Sequence, residues 1–287
     1  MGKKLAMLGC GSMGSAILAG LVEDSGAGGA PVTSFTASVR SQASVEKLQT
    51  RFAKHVAKVQ IVQGELISCA KSADVIIVAT KPYALKEVLG AEGMGEAVRG
   101  KLVISVLAGI SPELILDTLY GKDRSDDSTC HVVQATLNLA ARIRQCTAVL
   151  NDAALALPEE ELAITQWVFE QIGEVRYLPA SMMPVAAVLA AIPAIASVAL
   201  DGMLDGAVAQ GVVRSQAREI AALNLVGLGR LLLDGDNTEQ LREATASPRG
   251  VTIQALLELE RGKARATFAD AFITASEHAR TMASIQD

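Results

Sequence analysis

The first half of the chain alternates short apolar runs with stretches in which apolar residues recur at helical spacing. Short apolar or β-branched runs predict buried strands, and a repeat of three to four residues predicts amphipathic helices. We predict strands at residues 5–8, 32–39, 59–62, 73–79 and 102–106, and helices at 12–22 and 44–54, with a polar loop at 24–31. Strands that alternate with helices predict a right-handed, mostly parallel, doubly wound sheet.

After residue 151 the strand patterns fade and the helical spacing continues. We predict helices at residues 162–172, 193–211, 214–234, 255–261 and 264–284. A chain of 287 residues is longer than most single domains. The pattern therefore predicts an α/β domain over residues 1–155, followed by an all-α domain over residues 156–287.

One stretch of the helical half, residues 177–200, contains no charged residue. It is long enough to span a bilayer. Alanine makes up much of it and three prolines interrupt it, so its tendency to insert is weak. We predict a helix buried in a bundle or at a subunit interface, and no association with a membrane.

The turn after the first predicted strand has the pattern GxGxxG. Gly9 allows a tight turn, Gly11 lets the backbone approach a pyrophosphate, and Gly14 lets the helix pack closely on the strand. Ser12 and Met13 begin the predicted helix. Their backbone N–H groups and the positive end of the helix dipole can bind the pyrophosphate. This turn predicts a dinucleotide-binding Rossmann domain; the alternative is a glycine turn that serves packing only.

The end of the second predicted strand distinguishes the two nicotinamide dinucleotides. An acidic residue there would bind the ribose 2′-hydroxyl of NAD. The chain has Ser38, Arg40 and Ser41 instead, and a guanidinium beside two hydroxyls suits a 2′-phosphate. We predict NADP(H) as the cofactor in preference to NAD(H); the alternative is that Arg40 is a solvated loop charge.

Two later strands end in residues that would reach the same edge of the sheet. Ala79, Lys81 and Pro82 follow the fourth strand, and Ala108 and Gly109 follow the fifth. Ligands of doubly wound sheets bind at the carboxyl ends of the strands. We therefore expect Lys81 to contact a phosphate, the nicotinamide or the substrate, unless it is a solvent-facing lysine, and the small residues to leave room for the nicotinamide.

Composition narrows the function classes. The net charge is −5 and the basic residues are scattered, which argues against nucleic acid as a partner. The four cysteines include no CxxC pair, so we predict reduced, buried thiols and no metal site. Since the N-terminus shows no signal-peptide pattern, we expect the protein in the cytoplasm.

The scarcity of lysine and histidine in the second half of the chain bears on which reaction the protein could catalyse. No lysine occurs between Lys122 and Lys263, and no histidine between His131 and His278. Enzymes that reduce carbonyl groups normally place a proton donor at the reacting oxygen. An imine nitrogen is basic enough to arrive protonated, so the shortage of donors favours reduction of C=N over C=O.

One segment of the helical half, residues 246–252, combines Pro248, Gly250 and the hydroxyl of Thr252 just before a predicted helix. Free backbone N–H groups at such a position can bind a carboxylate. The alternative is a plain connection between two helices.

With these motifs in place, the chain resembles the pyrroline-5-carboxylate reductases over essentially its whole length. The resemblance rests on residues 9–14, 38–41, 79–82, 107–111, 205–211 and 247–253. It implies reduction of 1-pyrroline-5-carboxylate to proline with NAD(P)H, in homodimers interlocked through the C-terminal helices and often assembled further. It also implies that the backbone at Gly250 and Val251 binds the substrate carboxylate and that Thr252 lies against the imine nitrogen.

Three departures from the family pattern lie where substrate and nicotinamide should meet. Asn138 is the one residue kept from the family's Arg-x-Met-Pro-Asn-Thr segment. Ile192 stands in a helix start that is usually small and polar, and Arg249 replaces a glycine. Three hypotheses therefore remain: a proline-forming reductase, a diverged reductase of another cyclic imine from secondary metabolism, in which Arg249 pairs with a differently placed carboxylate, and a cofactor-binding protein without reductase activity.

Overall fold

A computed structural model of the chain describes residues 2–25, 29–124 and 129–285. The chain divides into two compact units, one of residues 1–190 with 276–287 and one of residues 191–275. Part of the predicted loop at 24–31, residues 26–28, lies outside the described residues.

The first unit is built on a single sheet. Its described strands are β1 Lys3–Leu8, β2 Val32–Val39, β3 Val59–Gln63, β4 Val75–Val78, β5 Leu102–Ser105, β6 His131–Thr136, β7 Cys146–Asn151 and β8 Gly173–Leu178. They lie in the order β3-β2-β1-β4-β5-β6-β7-β8. Strands β1 to β6 run parallel, β7 is antiparallel to β6, and β8 is parallel to β7. The predicted mostly parallel sheet is confirmed, and its strand order reverses between β1 and β4.

Helices cover both faces of this sheet. They are α1 Ser12–Asp24, α2 Gln42–Arg51, α3 Leu66–Ser72, α4 Leu85–Leu89, α5 Met94–Val98, α6 Pro112–Tyr120, α7 Glu159–Glu170 and α8 Met183–Ala190. The side chains of β4 are fully buried and alternate between two cores. Val75 and Ile77 pack in the core that contains α1, α2 and α7. Ile76 and Val78 pack in the core formed with α3 to α6, which makes the sheet doubly wound.

The sequence pattern missed β6, β7 and β8. In β8, Val175 and Tyr177 pack against the core, while Glu174 and Arg176 are exposed, so its alternation is too short to stand out. Because β8 pairs with β7 along its full length, the sheet continues past the predicted boundary at residue 155, and the first unit extends to Ala190.

The second unit is helical. Its helices are α9 Ile192–Ala209, α10 Arg214–Leu233, α11 Thr238–Thr245, α12 Val251–Arg261 and α13 Ala264–Ile285, the last of which runs past residue 275. Arg214 at the start of α10 forms ion pairs with Asp201 and Asp205 of α9. Within residues 191–275 only Leu204 and Ala217 are buried apolar residues, so most apolar side chains of this unit are exposed.

The apolar stretch Ala180–Ala209 is long and apolar enough to cross a membrane, judged by length and composition alone. Its mean hydropathy is 2.2, and 17% of its apolar window is buried. Pro184 and Pro193 both lie within it. An exposed apolar surface of this kind also suits the subunit interface expected from the sequence.

Candidate functional site

The glycine turn joins β1 to α1 at the carboxyl edge of the sheet. Gly9 has a φ of +83°, and a Cβ there would lie 2.4 Å from Cγ2 and 2.9 Å from Cα of Thr80. The Gly9 N–H donates to the carbonyl oxygen of Ser38 at 3.0 Å. This position therefore admits only glycine, and the ends of β2 and β4 flank the turn on either side.

The other two glycines of the turn have different surroundings. A Cβ at Gly14 would lie 2.7 Å from the carbonyl oxygen of Gly9 and 3.2 Å from Cβ of Ala79, so α1 packs tightly there. A Cβ at Gly11 would meet nothing within 4 Å. The turn is thus closed toward the sheet at Gly14 and open at Gly11.

The start of α1 leaves backbone donors free. Gly11 is the N-cap residue, and no side chain caps the helix. The N–H groups of Ser12, Met13 and Gly14 have no acceptor within the helix because they belong to its first turn. With open space at Gly11, these donors form a concavity suited to a phosphate.

The end of β2 carries the residues that the sequence predicted to bind a 2′-phosphate. Arg40 is exposed, and its guanidinium pairs with none of the residues that the structure describes. The Ser41 hydroxyl caps α2 by accepting from the Ser44 N–H at 3.3 Å, and the two hydroxyls lie 2.9 Å apart. The first turn of α2 carries no acidic residue. These features fit a 2′-phosphate.

Two buried hydroxyls beside the turn lack partners. The oxygens Ser38 Oγ and Thr80 Oγ1 are buried and form no hydrogen bond within the described part of the chain. Leaving a buried polar group unpaired costs about 1–3 kcal/mol. Because both residues adjoin Gly9, they fit a site completed by a bound polar group, as a dinucleotide would provide.

The ends of β4 and β5 lie on the same edge because the two strands are parallel. Lys81 is exposed and has no partner among the described residues. Pro82 begins a single 3-10 turn, closed by the Ala84 N–H donating to the Lys81 carbonyl oxygen at 2.9 Å. After β5, Ala108 is exposed and Gly109 has a φ of +75°.

Asn138 also lies at this edge, because it follows β6, which is parallel to β5. Its side-chain oxygen accepts from the Ala140 N–H at 3.0 Å and caps a 3-10 turn. Its own N–H points to the Cys146 sulfur at 3.4 Å. The side-chain oxygen is therefore engaged locally, and the amide N–H₂ remains to contact a ligand.

The second unit contains the turn that the sequence singled out. The Gly250 N–H donates to the Ser247 carbonyl oxygen at 2.9 Å, and Arg249 has a φ of +61°. Residues 247–250 therefore form a type II turn, which favours proline at its second position, here Pro248, and a left-handed residue at its third, here Arg249. The helix α12 already begins at Val251 and no side chain caps it, so Val251 and Thr252 lie in its first turn rather than in a loop.

The structure thus brings most of the expected positions together within their units. The positions on the carboxyl edge of the sheet are Gly9, Gly11, Ser12, Met13, Gly14, Ser38, Arg40, Ser41, Ala79, Lys81, Pro82, Ala108, Gly109 and Asn138. Arg249, Gly250, Val251 and Thr252 share one turn and helix start in the second unit. Within the described residues, no group of three His, Cys, Asp or Glu side chains is arranged to hold a metal ion.

Sequence reasoning missed two features of the glycine turn. The first is the shifted pKa of Cys10, whose burial was predicted: burial raises the pKa of the thiol to about 12, and the charge of Arg51 opposes the rise. The second is Arg51 itself, whose Nη1 donates to Ser15 Oγ at 2.9 Å. An exposed arginine at the end of a helix gives no signal in the sequence, because this contact depends on how α2 lies against α1.

Comparison with known proteins matches both halves of the chain to family models. Residues 4–109 match the model described as NADP oxidoreductase coenzyme F420-dependent, and residues 179–282 match pyrroline-5-carboxylate reductase dimerisation.

Relatives and solved structures resemble the chain along most of its length. The pyrroline-5-carboxylate reductase of Lophium arboricola is 35% identical, covering 93% of this chain and 89% of the relative. That of Schizosaccharomyces pombe is 34% identical, covering 92% and 93%. A crystal structure of the Plasmodium falciparum pyrroline carboxylate reductase with NADP bound has a TM-score of 0.78 at 18% identity, covering 98% of each chain, which shows a shared fold.

Proposed function

The chain belongs to the pyrroline-5-carboxylate reductase family, and we propose from that membership that it reduces 1-pyrroline-5-carboxylate, a cyclic imine, to L-proline with NADPH. The observation that carries the proposal is the glycine turn, which is open at Gly11, uncapped at α1 and flanked by the unpaired Arg40. NADPH supplies the hydride, while the protein supplies binding and orientation.

Different residues on the carboxyl edge of the sheet are assigned to different parts of the cofactor. The N–H groups from Gly11 to Met13 bind the pyrophosphate, and Arg40 with Ser41 binds the 2′-phosphate. Ala108 and Gly109 leave room for the nicotinamide, and the Lys81 ammonium contacts a phosphate or the nicotinamide amide. Because the expected substrate is an imine, no acid at a reacting oxygen is required.

The turn of the second unit supports binding of the substrate. The N–H groups of Val251 and Thr252 lie in the first turn of the uncapped helix α12 and suit the substrate carboxylate, whereas the Gly250 N–H is already bonded to the Ser247 carbonyl oxygen. Within the second unit, the Thr252 hydroxyl is assigned to the imine nitrogen and Arg249 to a further contact with the substrate. On the first unit, Asn138 is the residue assigned to the substrate. Orientation of the imine carbon toward the hydride is the main contribution of these residues to the rate.

Exposed apolar residues and the match to a dimerisation model support assembly of the protein as a homo-oligomer. We assign the contact between subunits to the helices of the second unit. The assembly we propose is a homodimer that can assemble further. Its four cysteines are free and buried, which supports a reducing compartment and the cytoplasm as its location.

A second candidate function is reduction of a different cyclic imine. Arg249 adds an exposed guanidinium to the turn expected to hold the carboxylate, and Ile192 is 47% exposed at the start of α9. A substrate with a differently placed carboxylate and a more apolar body would fit these two changes.

The experiment is NADPH oxidation, followed by absorbance, with 1-pyrroline-5-carboxylate beside 1-pyrroline-2-carboxylate and a six-membered cyclic imine. We expect turnover on the first substrate, and a higher kcat/KM with NADPH than with NADH. If only another imine is reduced, the second candidate function is supported. If the protein binds NADPH but reduces none of the imines, it is a cofactor-binding protein without reductase activity.

The Thr252→Ala variant separates chemistry from cofactor binding in the same assay. We expect a lower kcat with NADPH affinity nearly unchanged, because Thr252 is assigned to the imine and not to the dinucleotide. A large loss of NADPH affinity in this variant would contradict that role.

A further inference from the structure

A chain of hydrogen bonds links the end of α2 to the first turn of α1. The Arg51 guanidinium donates to Ser15 Oγ at 2.9 Å, and Ser15 Oγ donates to the carbonyl oxygen of Ser12 at 3.1 Å. The Ser15 N–H donates to the carbonyl oxygen of Gly11 at 2.9 Å. Ser15 is buried, and through its side chain Arg51 contacts the helix turn whose free N–H groups we assign to the cofactor.

Arg51 also brings a positive charge that no acidic side chain in the described parts of the chain neutralises by an ion pair. Its guanidinium carbon lies 5.7 Å from the centroid of the Phe52 ring, and Phe52 is buried, which restrains the position of the charge. The same charge lowers the pKa of the Cys10 thiol against the effect of burial. The field of Arg51 therefore reaches the glycine turn.

We propose that Arg51 is a positioning residue for the dinucleotide phosphates: it holds the first turn of α1 through Ser15, and its charge adds to the attraction of that turn for anions. The inference rests on the proposed function, since it takes NADPH to bind at this turn. A charge-assisted hydrogen bond holds a donor or acceptor more firmly than a neutral one. The positive end of the helix dipole attracts an anion, and a nearby cation adds its own Coulomb attraction for the same anion.

The test measures NADPH dissociation constants by calorimetry, at low and high salt. Arg51→Gln removes the charge, Ser15→Ala removes the link, and Lys54→Gln is the matched control, because Lys54 is an exposed cation three residues away with no partner among the described residues. We expect Arg51→Gln to weaken NADPH binding about threefold to tenfold at low salt, with a smaller effect at high salt. Ser15→Ala should weaken binding at both salt concentrations, and Lys54→Gln should leave it unchanged.

A purely structural tie between the two helices predicts different results. In that case Arg51→Gln lowers the Tm but changes neither the NADPH dissociation constant nor its salt dependence, and the inference is wrong. Equal losses in Arg51→Gln and Lys54→Gln would overturn it as well, since they would indicate a general effect of net charge. If the wild-type protein binds NADPH but reduces no imine, the proposed function fails while the dissociation constants still decide the role of Arg51; if it binds no NADPH, both fail.

Discussion

Arg249 shows how one residue can carry a cost that the sequence does not reveal. Its replacement of a glycine is visible in the sequence, but its φ of +61° is visible only in the structure. A left-handed conformation costs a residue with a side chain about 1–2 kcal/mol relative to glycine. The turn tolerates this cost.

We predict that Arg249→Gly raises the free energy of unfolding by up to about 1 kcal/mol, since relief of the left-handed strain exceeds the added entropy of the unfolded chain. Denaturant unfolding measures the change. Arg249→Ala is the control, because it removes the guanidinium and keeps the strained backbone, and it should show no gain. An equal gain in both variants would mean that the charge, rather than the backbone, destabilises the turn.

At the scale of elements, the β1–α1 connection separates two uses of glycine. At Gly9 a Cβ would meet the backbone of Thr80 in a left-handed conformation, whereas at Gly11 it would meet open space. The first glycine is needed to fold the turn, and the second keeps the space next to the free N–H groups clear.

We predict that Gly9→Ala lowers the Tm and abolishes NADPH binding, because the turn cannot close. Gly11→Ala should keep the wild-type Tm and lose most NADPH binding, because its methyl group occupies the space assigned to the pyrophosphate. Thermal unfolding and calorimetry on both variants test the pair. Full NADPH affinity in a folded Gly11→Ala protein would place the pyrophosphate elsewhere.

The elements also show where sequence patterns suffice. The strands β1 to β5 were predicted to within two residues at each end, because their apolar and β-branched residues stand out from the turns and helices around them. The later strands were missed, since β7 and β8 pair in a way that no local pattern specifies. The helix α2 begins two residues earlier than predicted because Ser41 caps it, and α12 begins at Val251 rather than residue 255.

The same limit applies to the candidate site. The glycine turn and the arginine that follows β2 are recognised from residue types at a fixed spacing, so Gly9, Gly11 and Arg40 could be predicted. Ser15 and Arg51 depend on the packing of two helices, and Thr80 depends on contact between neighbouring strands. Contacts of this kind need the tertiary structure.

At the scale of the whole molecule, the second unit exposes more apolar surface than a free helical unit would tolerate. Val198 of α9 is 72% exposed and Leu223 of α10 is 67% exposed. Large exposed apolar surfaces of soluble proteins mark interaction sites. This distribution agrees with assembly through that unit.

We predict that Val198→Lys with Leu223→Lys shifts the protein to a smaller species, because the charges would be buried unpaired in the interface. Analytical ultracentrifugation measures the mass. Val56→Lys is the control, since Val56 is 75% exposed but lies in the first unit. An unchanged mass in the double variant would place the subunit contact on other surfaces.

The thiol of Cys10 affects how the glycine turn reacts with oxidants. A cysteine beside a helix N-terminus and an arginine would ordinarily become a reactive thiolate, since both features lower its pKa. Here burial outweighs them and raises the pKa to about 12, so almost every molecule carries the protonated thiol at neutral pH. Peroxide attacks the thiolate form, so a thiol that burial holds protonated is a poor target for oxidants even though it lies in the glycine turn.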